Sequence, residues 1–185
     1  MGRLIYSAIC SLDGYTSDRN GTFDWAAPDA EVHGFVNDQE RGVGTYLYGR
    51  RMYEVMRFWQ AEPDADEPHR EFIDYGAIWR AADKAVFSTT LAEVTTPRTS
   101  LHRSVEPEAI TAMKERSDAP LSVGGPTLAA PLLRAGIVDE LSLYLVPAVV
   151  GGGLRALPDD LRLDLTLREQ RTFANGTTFL RYDVR

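Results

Sequence analysis

The stretch Leu121–Gly153, LSVGGPTLAAPLLRAGIVDELSLYLVPAVVGGG, decides how this 185-residue chain is read. It opens on a short apolar strand, Leu121-Ser122-Val123, breaks at Gly124-Gly125-Pro126-Thr127, and continues into a helix carrying Leu128, Leu132 and Leu133 at helical spacing. Asp139–Val146 then reads as a second strand. A strand, a glycine turn, a helix and a strand make one βαβ unit, and such units build parallel sheets covered by helices on both faces.

Upstream the pattern repeats. Arg3–Cys10 reads as the first strand, followed by a loop rich in Asp, Gly, Ser and Asn over Ser11–Gly21. Pro28-Asp29 looks like a helix start, with Val32, Phe35 and Val36 as its apolar stripe. Gly44–Tyr48 is a strand leading through Gly49-Arg50-Arg51 into a helix that begins near Met52. Phe72, Tyr75, Trp79 and Ala82 share a helical face, Lys84–Ser88 is a buried strand, and Glu106–Ser117 is a surface helix. The acidic, proline-bounded stretch Ala61–Pro68 is a surface excursion within one domain. Downstream, Leu161, Leu163, Leu165 and Leu167 alternate with polar residues, and Leu180, Tyr182 and Val184 alternate again. Asn175-Gly176 between them signals a type I′ hairpin turn. The expectation is a single-domain, three-layer α/β fold with a mixed, mostly parallel sheet closed by a C-terminal β-hairpin.

Composition narrows the function. A net charge of −7 argues against a nucleic-acid binder, which needs a basic face. One cysteine, Cys10, excludes an internal disulfide and a cysteine-rich zinc site, and three scattered histidines show no metal-ligand spacing. There is no apolar run of the roughly 20 residues a bilayer span requires. The N-terminus enters strand sequence directly, with no signal-peptide pattern, so a cytoplasmic location is expected.

Two turns share one construction: Tyr48-Gly49-Arg50 and Val123-Gly124-Gly125-Pro126-Thr127 each place glycine between a buried strand and a helix start. Such a turn lets backbone approach a phosphate, and the helix N-terminus offers it unpaired N–H groups and partial positive charge. The same glycines also suit a plain tight turn, and Pro126 suits a first helical position without any ligand. Arg50 and Arg51 in one turn, and Ser88-Thr89-Thr90 at the end of a third strand, favour the phosphate.

LYGRRMYE (Leu47–Glu54), KAVFSTTL (Lys84–Leu91), SLDGYTSDRNG (Ser11–Gly21) and the opening stretch resemble, in order and over nearly the whole chain, the dihydrofolate reductase superfamily. Within it they look closest to the C-terminal reductase domain of the bacterial riboflavin-biosynthesis deaminase-reductase and its stand-alone relatives. The resemblance implies bound NADPH, with Gly49, Arg50 and Arg51 on phosphates and Ser88 and Thr89 by the adenosine ribose and its 2′-phosphate. Val123, Gly124, Gly125, Pro126, Thr127 and Leu128 would cradle the pyrophosphate. A homodimer is implied too, because many relatives form one. The alternating C-terminal strands and the run Val146–Val150 are its candidate surface.

On the substrate side, reduction needs a group that orients the substrate or relays a proton. The candidates are Asp13 in the first loop and Glu31 on the first helix; Glu31 lies four residues before Phe35, an acid-then-phenylalanine spacing that resembles the family's pteridine-binding helix. Trp25, Phe35, Phe58 and Trp59 would contact an aromatic-sized substrate. Glu31 also serves as a plain helix-dipole partner, Asp13-Gly14 as a turn, and the aromatics as core. The reading is an NADPH-dependent oxidoreductase acting on a small heterocyclic or carbonyl compound. Its alternatives are a non-catalytic NADP(H)-binding protein and a flavin or deazaflavin binder on the same fold.

Overall fold

The computed structural model describes residues 1–63 and 67–185, so the excursion expected at 61–68 falls partly outside the described residues. Its strands are β1 (Leu4–Ser11), β2 (Tyr15–Asp18), β3 (Thr45–Gly49), β4 (Asp83–Phe87), β5 (Thr99–His102), β6 (Leu121–Gly124), β7 (Glu140–Val146), β8 (Gly153–Arg155), β9 (Leu165–Thr172) and β10 (Thr178–Val184). The helices are α1 (Ala30–Glu40), α2 (Arg50–Met56), α3 (Arg70–Ala81), α4 (Pro107–Arg116) and α5 (Pro126–Arg134). Eight strands form one sheet in the order β5-β4-β3-β6-β1-β7-β10-β9. All pairs from β5 to β7 are parallel, and β10 runs antiparallel to both neighbours.

Alternation along the strands divides the core between two faces. Leu47, Tyr6, Leu121 and Val123 pack under α4 and α5 with Ile110, Leu128, Leu132 and Leu133. Tyr46 and Tyr48, on the opposite face of β3, pack with Tyr53 of α2 and with Tyr75 and Trp79 of α3. Val32 and Phe35 of α1 close the same side with Tyr144, Phe173 and Phe179. The helices therefore form the two outer layers expected from the sequence.

Several local expectations change. α2 starts at Arg50, two residues before Met52, because Gly49 in extended conformation already serves as its N-cap. The alternation at Leu161 and Leu163 is not strand: β9 begins only at Leu165, and both leucines pack instead against the α4–α5 core. The hairpin exists, yet only Gly176 takes positive φ. Its turn is closed by Gly176 N–H and Thr177 N–H on the Phe173 carbonyl and Asn175 Oδ1, at 2.9 Å each, so it is not type I′. The two-stranded β2–β8 ribbon and the short β5 carried no clear periodic signal in the sequence.

Candidate functional site

Parallel register brings the strand ends together at one edge of the sheet. Tyr48 lies beside Gly124, Gly49 beside Phe87, and Phe87 beside His102. The segments leaving that edge are Leu12-Asp13, Gly49–Arg51, Ser88–Thr90, His102-Arg103, Gly124–Thr127 and Pro147–Gly151. β1 sits between β6 and β7, which is where successive crossovers diverge and where open α/β sheets collect ligands.

The glycines of this edge do different work. A Cβ at Gly49 would meet nothing within 4 Å, so the backbone there faces open space in front of α2. Gly125, at φ +96°, caps α5 with no side chain on its N–H groups, leaving them for a ligand. Gly124 is fixed by packing: a Cβ would come within 2.8 Å of the Tyr48 ring. Val123 and Leu128 point into the core, so only their backbone can face the cleft. Thr127 is exposed, and Pro126 occupies the first turn of α5. The open backbone at Gly49 and the uncapped α5 turn fit a diphosphate cofactor.

The loop after β4 is shaped in advance. Ser88 Oγ accepts from Thr90 N (3.2 Å) and Leu91 N (2.9 Å), a turn that leaves its own proton free to donate. Arg103, from the end of β5, donates to the carbonyls of Ser88 (3.1 Å), Leu91 (2.6 Å) and Ala92 (3.3 Å). Thr89 and Thr90 are exposed on this turn. Arg50 reaches across from α2, donating from Nε to Glu54 Oε1 (2.8 Å) and from NH1 to Thr90 Oγ1 (3.1 Å). Arg51 is exposed in the same helical turn. Arg103 was missed by the sequence reading because TSLH, the strand that delivers it, is short and half polar.

Asp13 and Glu31 do not come together. Asp13 accepts from the backbone N–H groups of Val150 (3.1 Å) and Gly151 (2.8 Å). The Ser11 hydroxyl and those N–H groups hold its carboxyl below the usual carboxylate range. Arg19 donates to the carbonyl of the same Gly151 (3.0 Å), so one residue of the loop after β7 is gripped by an acid and a base of the first loop. Glu31 accepts from Ala174 N (3.1 Å) in the β9–β10 turn and lies 3.4 Å from Arg171. Arg171 in turn covers the Phe35 and Phe173 rings.

The four aromatic candidates also separate. Phe35 is core, edge-on to Phe179 at 4.9 Å between centroids. Trp59 packs against Tyr75 (4.8 Å) and His33 (5.8 Å), at the seam of α1 and α3. His33, for which a structural role fits best, is buried there, and burial lowers its pKa. Phe58 is 67% exposed, which leaves a face for a ligand. Trp25, in the turn Asp24–Ala26 beside β1, has a buried Nε1 with no acceptor among the described residues.

Comparison with known proteins agrees with this architecture. The model of the RibD C-terminal domain matches residues 3–179. The uncharacterized protein YyaP of Bacillus subtilis is 28% identical over 184 residues, covering 97% of this chain and 94% of that protein. Among solved structures, a pyrimidine reductase-like protein from Corynebacterium diphtheriae has a TM-score of 0.69 at 18% identity, covering 100% of this chain and 92% of that one. A dihydrofolate reductase from Enterococcus faecalis, complexed with NADP(H), has a TM-score of 0.66 at 14% identity, covering 100% of this chain and 97% of its own. At these identities the two structures establish the shared dihydrofolate-reductase-like fold.

Proposed function

The chain belongs to the RibD C-terminal domain family, and from that premise we propose that it is an NADPH-dependent reductase of a small heterocyclic or carbonyl substrate. The observation that carries the reading is the convergence at one sheet edge of three elements. They are the open backbone at Gly49, the preformed Ser88–Thr90 turn with Arg50 against it, and the uncapped N-terminus of α5. NADP(H) in the Enterococcus faecalis dihydrofolate reductase supports the same cofactor class.

In this reading Gly49, Arg51, Gly124, Gly125 and the first turn of α5 hold the pyrophosphate, with backbone amides supplying most of the contacts. Arg50, Ser88 and Thr89 receive the 2′-phosphate, which a planar guanidinium and hydroxyl donors suit. NADPH, when bound, supplies a hydride to the carbon of a C=N or C=O group. The neighbouring nitrogen or oxygen takes a proton to balance the step. Asp13 is held by the Val150 and Gly151 amides and Glu31 by the Ala174 amide, so neither carboxyl stands as the ready donor of that proton. Asp13 acts by fixing the first loop over the cleft. Of the aromatic candidates, Phe58 offers an exposed face to a substrate, while Trp59 and Phe35 are engaged in separate parts of the core.

Quenching of the three tryptophans by NADPH, NADH and FMN tests this directly. Micromolar NADPH binding, at least about tenfold tighter than NADH, is expected, since the Arg50 guanidinium supplies charge-assisted hydrogen bonds to the 2′-phosphate that NADH lacks. Arg50→Ala with Arg51→Ala should erase that preference. Tight FMN binding without NADPH binding would move the protein to the flavin class.

A further inference from the structure

We infer that Glu54 is a positioning residue for nicotinamide-cofactor selection: it aims Arg50 at the Ser88–Thr90 turn and so sets how strongly the site prefers a 2′-phosphate. The inference rests on the reductase reading and adds a residue to it.

Glu54 is one helical turn beyond Arg50 on α2, where side chains four apart meet. Its Oε1 accepts from Arg50 Nε at 2.8 Å, the inner nitrogen of the guanidinium. That contact turns the outer nitrogens away from the helix and toward the loop after β4, where NH1 meets Thr90 Oγ1 at 3.1 Å. The loop cannot recede from it, because Arg103 holds three of its carbonyls and Ser88 Oγ ties two of its amides. The guanidinium is thus fixed between two elements, with NH2 left without a recorded partner among the described residues. A free arginine side chain would lose its rotamer freedom on being ordered by a ligand. Glu54 removes part of that cost beforehand, which is preorganisation.

The pair is half exposed, with side chains 50% and 36% accessible, so it adds little to stability. Its visible effect therefore lies in binding. A second physical outcome opposes the first: a carboxylate near a phosphate also repels it. The two predict opposite signs for removal of the acid, and that makes the question decidable.

Kd for NADPH and NADH should be measured for the wild type, Glu54→Ala, Glu54→Gln, Arg50→Ala and the Glu54→Ala/Arg50→Ala double variant, with thermal melting as a fold control. Glu54→Ala should weaken NADPH by about three- to tenfold, the range of one charge-assisted hydrogen bond after solvent discounting, and leave NADH within about twofold. Glu54→Gln keeps an acceptor for Nε and should fall between. In the double variant the Glu54 substitution should add nothing to the Arg50 loss. Unchanged or tighter NADPH binding in Glu54→Ala, beside a wild type that does discriminate, overturns the inference alone. A wild type that does not bind NADPH overturns both the inference and the reductase reading.

Discussion

Glu40, in the last turn of α1, turns its carboxyl into the seam between that helix and the sheet. Burial pushes its pKa up to about 7 from 4.5, and the hydroxyls of Tyr46 and Ser122 only partly offset that. A group whose folded pKa is raised stabilises the fold below its unfolded pKa and loses that contribution as pH rises through the folded value. Stability should therefore fall between about pH 4.5 and pH 7, by on the order of 3 kcal/mol at most. Glu40→Gln should flatten that slope and leave the variant more stable than wild type at pH 8; urea midpoints at pH 5 and pH 8 check it, and an unaltered slope would exclude Glu40. Single residues are also where the sequence was least legible. Glu31 and Phe35 have the spacing of one helix face, yet Glu31 is taken by an amide of the distant hairpin and Phe35 by three aromatic rings from other elements. Spacing within a helix carries no record of which other element will lie opposite.

Among the elements, the β2–β8 ribbon depends on three successive glycines with positive φ, at +72°, +145° and +140° for Gly151, Gly152 and Gly153. A Cβ on Gly153 would stand 2.0 Å from the Ser17 carbonyl oxygen, a backbone atom that cannot rotate away. Gly153→Ala should cost about 2–4 kcal/mol through combined strain and clash. Gly136→Ala also has positive φ, at +67°, but meets nothing within 4 Å, and should cost only about 1 kcal/mol. Paired thermal melts separate steric from conformational cost, and equal losses would refute the clash. The long parallel strands and α5 were readable because apolar periodicity and turn glycines agree there. The ribbon was not, since its pairing joins Tyr15–Asp18 to Gly153–Arg155 without any alternation to announce it. Leu161 and Leu163 misled for the converse reason: alternation arose from a loop laying leucines on the core.

At the scale of the whole molecule, the mixed sheet and its two helical layers followed from the order of βα units, and the shared edge where the strands end followed from the parallel sheet. Strand order did not, because a sequence shows which strands exist and not which ones a later strand will separate. A ligand bound only by the native state raises its stability by RT ln(1 + [L]/Kd), about 2.7 kcal/mol at a hundredfold excess over Kd. NADPH at that excess should therefore raise the melting temperature, and NADH at equal concentration should raise it less; no shift with either would argue against a cofactor bridging the sheet edge. The place of β1 has another consequence. Among the described residues it precedes the other nine strands in the chain, yet its partners are β6 and β7, so Leu4 must wait for Leu121 and Ile5 for Glu140. Until synthesis has passed about two-thirds of the chain and made β6, Leu4 and Tyr6 have no sheet to join, and the edge that faces β7 stays open longer still. Such long-range closure is slow. The chain should then be protease-sensitive when arrested before Val146 and become resistant only once β7 is complete.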